Sequence, residues 1–532
     1  MSRLFCVLLA AAVLVACGNE PADVSVEPMD VPEERAHVAK KPAVVSPGER
    51  MYRDGVLSTG EPMTAIVAGD VSITGTQFSC ESCHGRSGMG ASEGDFVVPP
   101  VAGQFLFAPS PQPARPAYDR DSMARLLRDG VTPSGRALSV ELMPRYEMSD
   151  EEVDKMIDFL EELSARDSPG IDATTIRFAT VVTDNVNAEK RRAVVGVVQR
   201  FGEDINRQTR NDSERWDRGY TPESKLPTVF REWVVDEWLL RGPPDGWAEQ
   251  LEDYYERAPV FAVVGGVSNG SWQPVSEFCE RNKIPCLYPS TDLPQREKDD
   301  FYTVYYSRGL WLEADLIRAH LVENPVSTVT QVYCSEQLEP VVTALGQSLT
   351  EAGMQVDAIA VECDQNLSVP GSAEAVVSWL DRRGLDALAT ETTPARLYVS
   401  STQLERNVDD IDGGDEVFAA HPFRLPGKAD SAWRRFELWA QSRDVEIVAP
   451  RQQAEAFFAC LVINDTVKHM GRFRIREFAL DMIDHGESMS AYVPLYPRPS
   501  FGPGQRYINK GGYILPIVDG QPVASDAAWI IP

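Results

Sequence analysis

Hydrophobic and polar positions follow two different rhythms along the chain, and the change falls near residue 168. Before it, apolar residues come in short helical patterns. One opens at Gly48, a second occupies residues 121–129 and stops at Gly130, and in a third Val153, Met156, Ile157, Leu160 and Leu163 share one face. The run Ser149-Asp150-Glu151-Glu152 is a capping box that starts the third helix. Between these patterns lie Gly85, Gly88, Gly90 and Gly94, then Pro99-Pro100, a density that predicts a loop wrapped around something rather than a helix. Residues 105–120 form a Pro-rich excursion. After Asp167-Ser168-Pro169-Gly170, a short boundary, the rhythm becomes that of buried strands alternating with helices. Strands are predicted at 176–182, 229–240, 260–264, 284–288, 303–306, 328–333, 356–361, 396–400 and 417–420. This alternation argues for parallel sheets covered by helices. The part beyond the boundary is too long for a single core, so two lobes are expected.

The first 45 residues belong to neither rhythm. Arg3 and the apolar run 4–14 read as an export signal, too short to span a bilayer as a mature helix. The run ends in Leu14-Val15-Ala16-Cys17, which resembles a bacterial lipobox. That resemblance implies removal of residues 1–16 and a lipid on Cys17, and Gly18 in second place favours the outer membrane. Residues 17–45, rich in Pro, Glu, Asp and Val, lack apolar periodicity and read as a disordered tether with a reach of about 30 Å.

Composition narrows the function. The net charge is −29, which argues against nucleic acid as a partner, because nothing would neutralise phosphates. Residues 50–166 alone carry 11 basic and 18 acidic side chains, a surface that would steer a basic partner.

The chemistry concentrates at Cys80-Glu81-Ser82-Cys83-His84. C-x-x-C-H is the attachment motif of a c-type haem. Two thiols three positions apart reach two vinyl groups on one porphyrin edge, and the histidine that follows falls under the iron. The alternatives are a redox C-x-x-C or half of a zinc site, and no second C-x-x-C completes four ligands. Residues 46–168 resemble a class I monohaem cytochrome c, an all-α domain. The resemblance rests on Cys80, Cys83 and His84, on Gly130-x-x-Pro133-x-Gly135-Arg136, and on Met143-Pro144-x-Tyr146. It implies one covalent haem c with His84 and Met143 as axial ligands and a periplasmic redox partner. Met148 is the rival to Met143. Met89 stands too near His84 to cross to the other haem face, and Met123 and Met156 sit on helix patterns where core packing is expected.

Residues 172–532 resemble a type I periplasmic solute-binding protein of the branched-chain amino-acid receptor kind, an α/β fold of two lobes. The resemblance rests on the apolar run 260–264 with Gly265-Gly266, on Ile284-Pro285-x-Leu287-Tyr288-Pro289-Ser290, and on Tyr305-Tyr306-Ser307-Arg308-Gly309. It is diffuse, a matter of order and hydrophobicity. It implies a small-molecule solute held between the lobes by loops 267–272 and 289–294 at strand carboxyl ends. There Ser268, Asn269, Ser271, Ser290 and Thr291 would donate to a carboxylate and Arg308 would pair with one. Each has an alternative role as a helix cap or solvated loop residue.

Nine cysteines sort by role. Cys6 leaves with the signal, and Cys17, Cys80 and Cys83 are assigned above. In an exported protein, Cys279–Cys286 and Cys334–Cys363 are expected to bridge, and Cys460 to be a buried thiol. His320, His421, His469 and His485 stand apart, with no metal spacing, phosphate loop or nucleophile elbow to indicate an enzyme. Three functions compete. The first is a lipid-anchored periplasmic electron carrier whose second domain docks a partner or senses a ligand. The second is a transport receptor with an accessory haem. The third is a redox enzyme passing electrons from a cleft-bound substrate to the haem.

Overall fold

The computed structural model describes residues 45–532 apart from 69–70, 94–95, 112–113, 211–230, 296–299, 363–372, 390–394, 412–415, 426–430, 487–494, 501–504 and 526. The predicted signal, Cys17 and the tether lie outside the described residues. Among the described residues no helix is long and apolar enough to cross a membrane.

Residues 45–168 fold around a core of Met51, Tyr52, Met123, Leu126, Leu127, Val153, Met156 and Leu160. Helix Pro47–Asp54 packs on helix Asp150–Glu162. The approach is so close that a Cβ on Gly48 would lie 2.2 Å from the Lys155 carbonyl oxygen. The predicted capping box is present, with Ser149 and Glu152 satisfying each other's backbone N–H groups. Helix Arg120–Asp129 ends at Gly130 in the left-handed conformation. The expectation of an all-α domain needs correction. Strands Val71–Thr74, Thr64–Val67 and Arg145–Glu147 form an antiparallel sheet, and two short hairpins occupy the Gly- and Pro-rich stretches. Those segments have too little helical periodicity to do anything else.

The α/β part contains two sheets with the same winding. In the first, Glu232–Leu240 pairs with Thr175–Thr183, which on its other side meets Ala262–Val264 and, after a Gly265-Gly266 kink, Val267–Ser271. Next come Cys286–Leu287 and Ser290–Leu293, then Thr303–Val304. In the second the order is Gln355–Ala360, Thr328–Tyr333, Ala375–Ser378, Arg396–Ser400 and Glu416–His421, all parallel, extended by the antiparallel strands Tyr513–Val518 and Gln521–Pro522. Each parallel set therefore reads 2-1-3-4-5 in chain order, a doubly wound arrangement whose switch point lies between its first and third strands. Thr175–Thr183 is buried along nearly its whole length, as expected of a strand covered on both faces.

The chain passes between the lobes three times. It leaves the first sheet after Val304 and enters helix Leu310–Glu323 of the second lobe. It returns after His421 to helices Ser431–Ser442, Pro450–Met470 and Arg476–Asp484, whose Phe436, Phe457 and Leu480 complete the first lobe's core. It crosses again to reach Tyr513. Two crossing segments run side by side: Tyr305 N–H donates to the Arg506 carbonyl at 2.7 Å, and Asn509 N–H to Tyr306 at 2.8 Å.

The boundary predicted at 167–170 is docked chain. Ser168 N–H donates to the Arg474 carbonyl at 2.7 Å, and the Arg476 guanidinium donates to Pro169 O. A Cβ on Gly170 would lie 2.1 Å from the Phe261 nitrogen.

Candidate functional site: the haem-attachment segment and the cleft

The short helix Cys80–His84 starts at Ser79, whose hydroxyl accepts the Ser82 N–H. Cys80 packs against the core, and burial pushes its thiol up to about 12. The His84 ring lies 2.9 Å from the Pro99 carbonyl through Nδ1. A carbonyl can only accept, so Nδ1 carries the proton and Nε2 keeps its lone pair for a metal. Burial lowers the His84 pKa, which keeps the ring neutral.

Across the segment, Met143 lies in a turn closed by its N–H to the Ser139 carbonyl. The element carrying it is tied to the attachment helix: Tyr146 hydroxyl donates to Phe78 O at 2.9 Å. Met89, Met123, Met148 and Met156 are all buried in protein. Met143 is half-buried at the edge of that core, its surface not fully used by protein packing. Phe78 and Leu142, neighbours of the two elements, remain 41% and 55% exposed. Two vinyl-reactive thiols, an imidazole with a free Nε2, a thioether and uncovered apolar side chains fit a haem. Among the described residues no three His, Cys, Asp or Glu side chains gather to hold a metal ion, so a zinc site finds no completion there.

The attachment helix is also gripped by the first lobe. Asp481, on helix Arg476–Asp484, accepts the N–H groups of Arg86 at 3.1 Å and Ser87 at 2.9 Å. Gly85 makes this possible, since it sits at φ +75° and a Cβ there would lie 2.7 Å from the Asp481 carboxylate. Tyr52 holds the other side by donating to Gly85 O at 2.7 Å. The Arg86 guanidinium lies 4.2 Å above the Phe301 ring, and Arg506 lies 4.3 Å from the same ring. Arg506 is paired twice with Asp484 and belongs to an interlobe crossing. Sequence reasoning missed Asp481, Phe301 and Arg506. The one local signal was a glycine directly after the haem-motif histidine.

The predicted solute residues scatter. Ser268 and Thr291 lie on strands, not in loops: Val267–Ser271 and Ser290–Leu293 pair with each other in parallel. Their apolar ends, Val267 and Leu293, fit that buried sheet. Ser268 takes the Thr183 hydroxyl at 3.3 Å, Asn269 and Asn185 exchange side-chain bonds with each other's backbone carbonyls, and Ser271 accepts the Gln273 N–H as a turn cap. Thr291 donates to Gly270 O. Arg308 is exposed and paired with Asp315 at 2.7 Å, so its charge is already answered within the chain. Ser290 and Thr291 line a small cavity of about 10 Å³ together with Tyr306, Ser307, Glu455 and Tyr496, room for a single water at most.

The lobes meet over this region. A Cβ on Gly270 would overlap Gln337 of the second lobe at 2.1 Å. Glu405, in the loop after strand Arg396–Ser400, takes Lys190 at 2.8 Å and Arg451 at 2.9 Å, and both its oxygens accept from Gln452. Arg451 also holds Asp292 at 2.9 Å. These residues were not foreseen either.

The predicted Cys279–Cys286 bridge is not formed; both are free buried thiols. The expected crossing is real, because the two thiols hydrogen-bond. Burial first and that bond second push the Cys279 thiol well above its ordinary value, which withholds the thiolate that disulfide formation needs. The Trp272 indole N–H donates to Cys286 Sγ at 3.4 Å. Cys334 is disulfide-bonded; its predicted partner Cys363 lies outside the described residues. Cys460 is a buried thiol.

Residues 75–164 match the family model for cytochrome c. No curated protein matches the chain. Solved structures similar to it include a branched-chain amino-acid ABC transporter protein from Thermus thermophilus with bound valine, 11% identical over 67% of this chain and 97% of that one, TM-score 0.48. A leucine-binding protein from Thermotoga maritima is 12% identical over 67% and 99%, TM-score 0.45. A fatty-acid ABC transporter substrate-binding protein from Thermomonospora curvata is 12% identical over 68% and 94%, TM-score 0.45.

Proposed function

We propose that the chain is an exported, lipid-anchored electron carrier whose two-lobed part docks a partner or senses a solute. The observation that carries this reading is the His84 ring with Nδ1 committed to Pro99 O, on a helix whose next residues are held by the first lobe through Asp481. A haem bound there supplies one-electron transfer. The protein's own residues do the rest. Cys80 and Cys83 fix the group covalently, His84 offers Nε2 to the iron, and Met143 offers a thioether that favours the ferrous state. The role proposed is carriage, not catalysis.

The grip between the attachment helix and the first lobe supports a coupled protein over two passengers on one anchor. If lobe closure and haem state are linked, a bound solute must shift the potential, and haem reduction must change solute affinity by the same factor. The test is a redox titration of the full haem-loaded chain with each of a panel of amino acids and small organic acids, alongside direct binding. A solute that binds and shifts the potential supports the sensing reading. A solute that binds without moving it overturns that reading, and reduction of the haem by a solute alone replaces the carrier with an enzyme.

A further inference from the structure

We propose that the mouth of the cleft is an anion site held shut by the protein's own carboxylate, Glu405, and that a small organic carboxylate opens the route to the cleft by taking its place. The inference rests on reading the two lobes as a binding module.

The site is assembled from both lobes at the carboxyl ends of parallel strands, where open α/β sheets bind ligands. Lys190 opens the helix that follows the first lobe's first strand, next to its switch point. Arg451 and Gln452 begin helix Pro450–Met470, and both side chains are buried although they start an otherwise apolar run. Two cations and an amide therefore converge from one side, and Glu405 reaches them from the other. Every bond to its carboxylate is a donor an external carboxylate would also use: Lys190 Nζ at 2.8 Å, Arg451 Nε at 2.9 Å, and Gln452 Nε2 at 2.9 and 2.8 Å.

The two sides of the contact differ in permanence. Arg451 is 5% exposed and also anchored by Asp292, so the cationic side is built into the first lobe. Glu405 is 45% exposed and sits on a loop where it and Arg406 adopt φ of +49° and +70°. Two successive non-glycine residues in that region hold strain that the ion pairs oppose. Glu405 can thus leave while its partners stay. Burial raises the Glu405 carboxyl, but Arg451 and Lys190 outweigh this and hold it at about 2, so the latch is charged throughout the physiological range.

The experiment uses the full haem-loaded chain, with acetate as the probe and small-angle X-ray scattering as the readout of lobe separation. Wild type is expected to be compact without acetate, to bind acetate weakly, and to expand only as acetate fills the site. Glu405→Ala should be expanded without acetate, should stay expanded as acetate is added, and should bind acetate roughly tenfold or more tighter than wild type. Lys190→Met in that background should weaken acetate binding. Glu405→Gln keeps the shape and one amide contact while losing both ion pairs, and should expand less than Glu405→Ala; its haem spectrum reports that it is folded. The proposal is overturned if Glu405→Ala stays compact without acetate, or if it binds acetate no better than wild type. Neither result touches the binding-module reading, which fails separately if no solute in the panel binds any form of the chain.

Discussion

The haem-bearing segment and the cleft do their chemistry with opposite kinds of sequence. In the first, the three residues proposed to hold a haem lie within five positions on one helical turn, because a covalent link to one rigid ring would demand fixed spacing. In the second, Lys190, Asp292, Glu405 and Arg451 come from four segments spread over about half of the chain, joined only by the winding of two sheets. A function tied to a cofactor's geometry is written locally, whereas one tied to a cleft is written in the topology.

The largest effect that tests this contrast is loss of the haem link. Cys80→Ser with Cys83→Ser should abolish covalent haem, seen as loss of haem staining after denaturing electrophoresis, while far-UV circular dichroism of the α/β part is retained. Loss of both signals together would show that the local motif also organises the lobes. Met143→Ala comes next: the weak far-red sulfur-to-iron band should disappear and the potential should fall. Met148→Ala should do the reverse, costing about 2–5 kcal/mol of stability by emptying a packed core position and leaving the band in place. A band lost in Met148→Ala but kept in Met143→Ala would exchange their roles.

The contrast also decides what was legible in advance. Periodicity located the long central strands of the α/β part, because a 2-residue or 3.6-residue rhythm is a local property, but it missed the sheet of Thr64–Val67, Val71–Thr74 and Arg145–Glu147 and the late strand Tyr513–Val518. It read 267–272 and 289–294 as loops, since their Ser, Asn and Gly are poor strand formers; pairing with each other in the sheet overrides that preference. Strand Ala375–Ser378 passed unnoticed because it is only four residues long. Cys80, Cys83 and His84 stand out from spacing, and Met143 from resemblance, as the proposed haem-binding set. Asp481 was not legible, being 394 positions from its partner Ser87. Nor was Glu405, an ordinary exposed glutamate until the first lobe brings cations to it.

A smaller effect concerns pH. Glu313, at the start of the second lobe's first helix, is fully buried and accepts from Ser400 and from Thr402 N–H and hydroxyl. Burial pushes its carboxyl up to about 8. The folded state therefore holds a proton that the unfolded chain releases above about pH 4.3. Stability should fall as pH rises from there towards 8, by up to about 1.4 kcal/mol per pH unit. Glu313→Gln should flatten that slope in denaturant titrations across this range. An unchanged slope would mean the carboxyl ionises at its ordinary value.

The last predicted effect bears on whether the two regions are one cooperative body. Asp481 lies at their contact, buried, with both oxygens engaged by backbone N–H groups that follow the haem motif. Asp481→Ala leaves those two N–H groups without their partner in a buried place, and each unmet donor costs about 1–3 kcal/mol. Asp481→Asn keeps one acceptor and should lose about half as much. In wild type, haem absorbance and far-UV circular dichroism should trace the same denaturation curve, because the Asp481 contact and the docked 167–170 chain transmit unfolding from one region to the other. In Asp481→Ala the haem signal should move to lower denaturant while the α/β signal moves less, opening a gap between the curves. Coincident curves displaced together would mean that the remaining contacts, Arg86 on Phe301 and Arg474 with Asp167, suffice to keep the regions joined. Curves already separate in wild type would show two independent bodies, and coupling between haem and cleft would then have no physical carrier through this contact.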